Sequence, residues 1–192
     1  MDTTLNQTAE RVARLIEGAE VLDPLAAGVA RVLSPLRRLG ALSDLLAGAP
    51  LGHPAHPAAI LLPLGAWSSA ALLDVVGGEA SRDAATTLVG LGVLTATPAA
   101  LTGAKDWLDT DGPARRVGLV HALTNSTALA CFASSWWARR TGRHRRGVAL
   151  GLAGCGVVTL SAWLGGHLTY ARGVGVRAGT PGVGGAGPGT TA

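Results

Sequence analysis

The sequence predicts an all-α integral membrane protein, a four-helix bundle preceded by amphipathic surface helices. Three observations carry this. The 192-residue chain is 48% hydrophobic and only 15% charged, well away from the average soluble composition. With 5 Trp, 1 Tyr and 1 Phe, its apolar content is aliphatic and small, the usual filling of closely packed membrane helices. Four stretches approach the ~20 residues needed to cross a bilayer.

The elements follow in order. In the segment 1–50, Leu22, Leu25, Val29, Val32, Leu33, Leu36, Leu39 and Leu42 recur at steps of three and four, which makes one apolar helix face. Arg31, Arg37 and Arg38 interrupt the stretch and Pro35 kinks it, so the reading is an amphipathic helix pair on the membrane surface. Asp2 and Glu10 precede any hydrophobic segment, so no signal peptide is expected.

A transmembrane domain at 51–177 then carries the spans Ala58–Val76, Ala84–Ala104, Val117–Ala138 and Gly147–Leu168. Gly147-xxx-Gly151 and Gly65-xxx-Ser69 are spacings that let helix backbones approach in lipid. Pro98 removes an amide inside the second span, and a neighbour or a hydroxyl such as Thr95 or Thr97 is expected to meet the freed carbonyl. Asp74, near the far end of span one, is expected to face water. The segment 178–192 reads as a disordered Gly-rich tail.

The formal charge of +4 comes from arginines at the ends of apolar stretches. Interfacial anchoring explains them better than nucleic-acid binding, and the Arg139–Arg146 run is read as a headgroup-binding loop. Cys131 and Cys155 lack CxxC spacing and sit in apolar surroundings, so both read as buried small side chains. No nucleophile–base pair, phosphate loop or HExxH occurs, so a non-enzymatic role is favoured.

Threading concentrates the histidines. Antiparallel spans bring the start of span one, the end of span two, the start of span three and the end of span four to one side, called face X. His53 and His56 precede span one, Asp106 and Trp107 follow span two, His121 opens span three and His167 closes span four. His144 falls on the opposite side, face Y, and is read as a surface residue. In Gly52-His53-Pro54-Ala55-His56-Pro57, prolines favour extended conformations, and a polyproline path points His53 and His56 the same way. Pro57 suits the first turn of the following helix, which leaves His56 near its cap. Asn125, one turn beyond His121, shares its face and is placed to fix a ring tautomer. Gly165 and Gly166 leave space for a neighbouring helix or a flat cofactor.

Three readings compete for these side chains. Imidazoles ligate transition metals and haem iron, so His53, His56, His121 and His167 are candidate ligands for haem b or a metal ion, supported by Asp106, Trp107 and Asn125. A proton relay through the same histidines and Asp106 is a second reading, and helix-end anchoring is the third.

Leu51-Gly-His-Pro-Ala-His-Pro57, Gly103-xx-Asp106-Trp107, His121-xxx-Asn125 and Gly165-Gly-His-Leu-Thr-Tyr-Ala-Arg-Gly-Val-Gly-Val176 together resemble the bacterial predicted-membrane-protein family called domain of unknown function 2231. The resemblance covers about residues 50–177. It implies a four-helix membrane fold and, because some members resemble fusions with a Rieske-type iron–sulfur domain, a link to electron transfer. This chain has no Rieske ligand motif, so such a partner is a separate protein. The expected role is therefore an electron-transfer protein in the cell membrane. Its expected partners are the lipid bilayer, a redox protein such as a Rieske-type ferredoxin, and further copies of the chain. Alternatives are a non-catalytic scaffold and a proton-coupled transporter. Lys105, Arg115, Arg116, Arg172 and Arg177 pull face X toward the cytoplasm, against the arginine loop of face Y.

Overall fold

The computed structural model describes residues 3–175, and among them every regular element is helical. The expected tail at 178–192 lies outside the described residues. The helices are α1 (Thr3–Glu17), α2 (Asp23–Leu33), α3 (Ala41–Ala47), α4 (His56–Ala59), α5 (Leu61–Val76), α6 (Arg82–Leu108), α7 (Gly112–Arg140) and α8 (His144–Gly166).

Four units are long and apolar enough to cross a bilayer: His56–Val76, Glu79–Leu108, Gly112–Arg140 and His144–Ala171. All four begin or end beyond the apolar stretches themselves, because charged residues complete the first and last turns of helices whose middles are apolar. The arginine loop of face Y thereby shrinks to residues 141–143, and His144 becomes the first residue of α8.

The first unit is shorter than the rest. It has 21 residues against 30, 29 and 28, about 31 Å against about 45 Å for the second at 1.5 Å per residue. Because α5 ends and α6 begins at a common turn at face Y, His56 lies level with Ala99 rather than with Leu108, and the X end of the bundle lacks one wall. The N-terminal segment fills that place. Leu22, Ala26, Val29, Ala30, Leu33 and Leu36 pack on Trp107, Leu108 and Leu119, and α3 buries Ser43 and Leu46. Half of the apolar face assigned to the membrane surface, Leu22, Val29, Leu33 and Leu36, thus lies on the bundle. The other half, Leu25, Val32, Leu39 and Leu42, stays exposed together with Val21.

Helix contacts inside the bundle depend on small residues, since lipid gives apolar side chains no reason of their own to leave it. On α8, Gly147, Gly151 and Gly154 share one buried face against Ser135, Arg139 and Phe132 of α7. Gly65 and Ser69 instead face outward, so that spacing is not used for packing within the chain. At the centre Trp67 of α5 stacks on Phe132, with centroids 4.0 Å apart and planes 7° from parallel. Around them lie Ala70, Ala85, Val89 and Ala128, with Cys155 at the edge. The Thr95 hydroxyl donates to Leu91 and Gly92, not to Leu94, the carbonyl that Pro98 leaves without its amide.

Near face Y the structure reverses the expectation for Asp74. Its two carboxylate oxygens accept from Arg139 Nη1 at 2.8 Å and Nη2 at 2.5 Å, and the two side chains are 3% and 1% exposed. Arg139 is therefore not a headgroup ligand. Its Nε donates to Ser135 Oγ at 3.2 Å, and that hydroxyl donates to the Gly147 carbonyl at 2.6 Å. Glycine at 147 lets the Arg139 stem lie against α8. Spans one, three and four are tied together by this network.

Removing one partner leaves the other as an unpaired charge in a low-dielectric interior. Chemical unfolding of detergent-solubilised protein is expected to show Asp74→Ala and Arg139→Ala each losing about 3–5 kcal/mol. The joint replacement by Leu and Met should recover most of it. Equal stability of the single variants and the wild type would refute a buried pair.

Candidate functional site

The sequence draws four histidines toward face X, and the structure sorts them into three environments. His53 is exposed, and its Nδ1 lies 3.0 Å from the carbonyl of the adjacent Pro54. The polyproline path does not hold, because Ala55 takes helical angles of −77° and −26° as the cap of α4. That rotation separates His53 from His56. His167 closes α8 and faces the N-terminal segment, with Nε2 2.7 Å from Glu17 Oε1.

His56 and His121 form the interior pair. His56 reaches across to α6, where Nδ1 lies 2.9 Å from the Ala99 carbonyl and 3.2 Å from Thr102 Oγ1. His121 lies against α8, with Nδ1 2.9 Å from the Ser161 carbonyl and 3.0 Å from Ser161 Oγ. A carbonyl oxygen only accepts, so Nδ1 carries the proton in each ring and Nε2 keeps its lone pair. On His121 that lone pair accepts from Asn125 Nδ2 at 3.0 Å, in keeping with the i,i+4 spacing. On His56 no described residue donates to Nε2.

The two rings sit at one depth. Ala99 lies nine positions before the end of α6 and His121 nine positions after the start of α7, about 13 Å along each helix. Each ring rests on a glycine. A methyl group at Gly103 would lie 2.8 Å from His56 Cε1, and one at Gly165 would lie 3.1 Å from His121 Cε1. The space foreseen at Gly165 is therefore taken by the imidazole itself. Trp107 behaves in the same way over Gly118, donating from Nε1 to the Arg115 carbonyl at 2.9 Å, with the Arg115 guanidinium 5.8 Å above its ring. Asp106 is half-buried and lines a shallow cavity with Asp109, Thr110 and the chain at Gly173–Gly175.

The profile of a family described as "Predicted membrane protein (DUF2231)" matches residues 52–178. The chain belongs to this family. No curated protein and no solved structure matches it. All four histidines, Asp106, Trp107, Asn125 and the glycines beneath the rings fall inside the DUF2231 region. Glu17, Asp23 and Arg37 fall outside it, yet they fasten the N-terminal segment to it. Glu17 accepts from Arg172 Nε at 2.7 Å, Asp23 takes Arg116 through two contacts of 2.7 Å, and Arg37 Nη2 donates to Asp109 at 3.0 Å and to the Leu108 carbonyl.

Sequence reasoning missed these latches because their partners are separated by 71 to 155 residues. It also missed Thr102 and Ser161. Ser161 carried one usable signal, since it precedes Gly165 by one helical turn and so shares the face that meets His121.

The Arg172 guanidinium holds the Glu17 carboxyl below the usual carboxylate range, with His167 adding to the effect against partial burial. A carboxyl depressed in the folded state stabilises fully above its unfolded value, and the contribution is lost as pH falls through the folded one. Hydrogen exchange of α1 should therefore be slow at neutral pH and accelerate on acidification below the ordinary glutamate range. In Glu17→Gln, exchange should be faster at neutral pH and the acid step smaller.

Gly103→Ala is expected to cost about 1–3 kcal/mol, because the methyl group meets a ring whose position is fixed by Ala99. The corresponding change at Gly65, which has open space around it, should leave the unfolding midpoint unchanged.

Proposed function

We propose that this integral membrane protein uses His56 and His121 as a two-imidazole ligand site for haem b or a transition metal ion. In this reading it exchanges electrons in the cell membrane with a separate redox protein, such as a Rieske-type ferredoxin, at face X. The observation that carries the reading is the hydrogen bonding that the two rings share. Each is held through Nδ1–H by a backbone carbonyl, the arrangement that fixes the tautomer and raises the basicity of Nε2 in ligating histidines. Bound between them, the group would supply one-electron chemistry.

The chain's own residues set the site. Ala99 and Ser161 hold the protons on Nδ1, Gly103 and Gly165 let the rings seat, and the surrounding apolar helices keep bulk water away. Asn125 would give up its bond to His121 Nε2 and remain beside it as a donor. His53 and His167 do not fit the ligand set, since one turns to Pro54 and the other to Glu17. Among the described residues no group of three or more His, Cys, Asp or Glu side chains is placed to hold a metal ion. The reading therefore rests on two imidazoles.

A second reading, structural histidines in a non-catalytic scaffold, is favoured by the Asn125 contact that already occupies His121 Nε2. Absorption spectra and metal analysis of purified protein separate the two. Ligation predicts a Soret band or stoichiometric metal that is lost in His56→Ala and in His121→Ala and kept in His53→Ala and His167→Ala. A wild-type protein with neither signal, whose His56 and His121 variants merely melt lower, assigns the rings to structure.

A further inference from the structure

The two ends of the bundle treat arginine differently. On face X, Arg37, Arg116 and Arg172 are all consumed by carboxylates of the chain itself. On face Y Asp74 is engaged by Arg139 and Glu79 by Arg82 at 2.6 Å, while Asp83 of the first turn of α6 pairs with no cation among the described residues. Arg140, Arg143, Arg145 and Arg146 take part in no ion pair among the described residues, and Arg140 lies over the Trp136 ring at 5.9 Å. Four cations and the single carboxylate of Asp83 thus stand unpaired at this end, a surplus of three positive charges.

Two of them line a cavity. Between α7 and α8 at this end is a shallow groove of about 340 Å³ whose walls include Ser134, Trp137, Arg143, Arg146 and Leu150. Its polar side chains are all hydrogen-bond donors, two of them charged, and a carboxylate is missing from the lining. Its floor is apolar and continues down the outside of α8 through exposed Ala153 and Leu160. Trp137 is 64% exposed at its rim, in the position that amphipathic rings take at headgroup level.

We propose that this groove holds the headgroup of an anionic phospholipid, with Arg143 and Arg146 on the phosphate and an acyl chain running over Leu150 along α8. Charge complementarity selects the phosphate, since guanidinium groups match its oxygens. The apolar floor selects a lipid over a free anion, because a soluble phosphate leaves that surface uncovered. The headgroup role read from the whole Arg139–Arg146 run thereby narrows to two arginines of one groove, with Arg139 excluded by its bond to Asp74. The site is independent of the histidines.

The test uses the full-length protein in a neutral detergent, titrated with phosphatidylglycerol or phosphatidylcholine and read by tryptophan fluorescence. Phosphatidylglycerol is expected to bind more tightly than phosphatidylcholine. Arg143→Gln with Arg146→Gln should weaken it roughly 30-fold, from about fivefold for each surface arginine. Inorganic phosphate at the same concentration should not compete. Equal binding of the two lipids, an unchanged affinity in the double variant, or full competition by inorganic phosphate each overturns the proposal. Should the double variant fail to fold, lipids with brominated acyl chains decide on the unaltered protein. Brominated phosphatidylglycerol should quench the fluorescence component missing in Trp137→Phe more than brominated phosphatidylcholine does, and equal quenching overturns the proposal.

Discussion

A bilayer gives apolar side chains no incentive to meet one another, so helices in it associate only where their surfaces fit. Here the fit is made again and again by a flat ring placed against a glycine of the neighbouring helix. Trp67 lies on Gly92, Trp136 on Gly90, His56 on Gly103, Trp107 on Gly118, Phe132 on Gly154 and His121 on Gly165. These contacts join α4 and α5 to α6, α6 to α7, and α7 to α8. Trp67 stacked on Phe132 closes the set across the middle. A ring buries a large area in a thin layer, and only a residue without Cβ lets that layer lie close to the helix axis. The same rule that packs tryptophan and phenylalanine fixes both interior histidines, so the candidate site is an extension of the core.

The short first span gives the bundle its polarity. Because it stops level with Ala99, the X end is completed by α1–α3 and fastened by ion pairs that involve Glu17, Asp23 and Arg37. These pairs are partly solvated, and such contacts contribute little individually and open more readily than a core. The Asp74–Arg139 pair at the other end is sealed, and there the charges must stay matched. One end of the molecule is thus built to be rigid and the other to be covered by a segment held through titratable contacts.

Electrostatics separates the two faces in a way that counting charges does not. Face X carries the larger number of basic residues, yet its own carboxylates neutralise most of those that the structure describes. Face Y carries fewer, and leaves four without an ion pair against the one free carboxylate of Asp83, beside exposed Trp136 and Trp137. A positive, aromatic rim of this kind suits an anionic leaflet, while the neutralised end suits docking of chain segments onto the bundle.

The sequence by itself determined the four spans, the order in which they cross, the side to which each histidine is carried and the family. Hydrophobic length and polar boundaries are local properties that a bilayer reads directly. It also determined the His121–Asn125 contact, since i,i+4 geometry is intrinsic to a helix. Tertiary structure alone decided which histidines keep company. Ala55 turning helical separated His53 from His56, Glu17 drew His167 away, and the backbone carbonyls of Ala99 and Ser161 oriented the two that remain. It likewise decided that Asp74 is buried and that half of the N-terminal apolar face lies on the bundle. Apart from the turn at Ala55, each of these depends on a partner 40 to 150 residues distant or on the unequal lengths of neighbouring helices, and no local pattern encodes either.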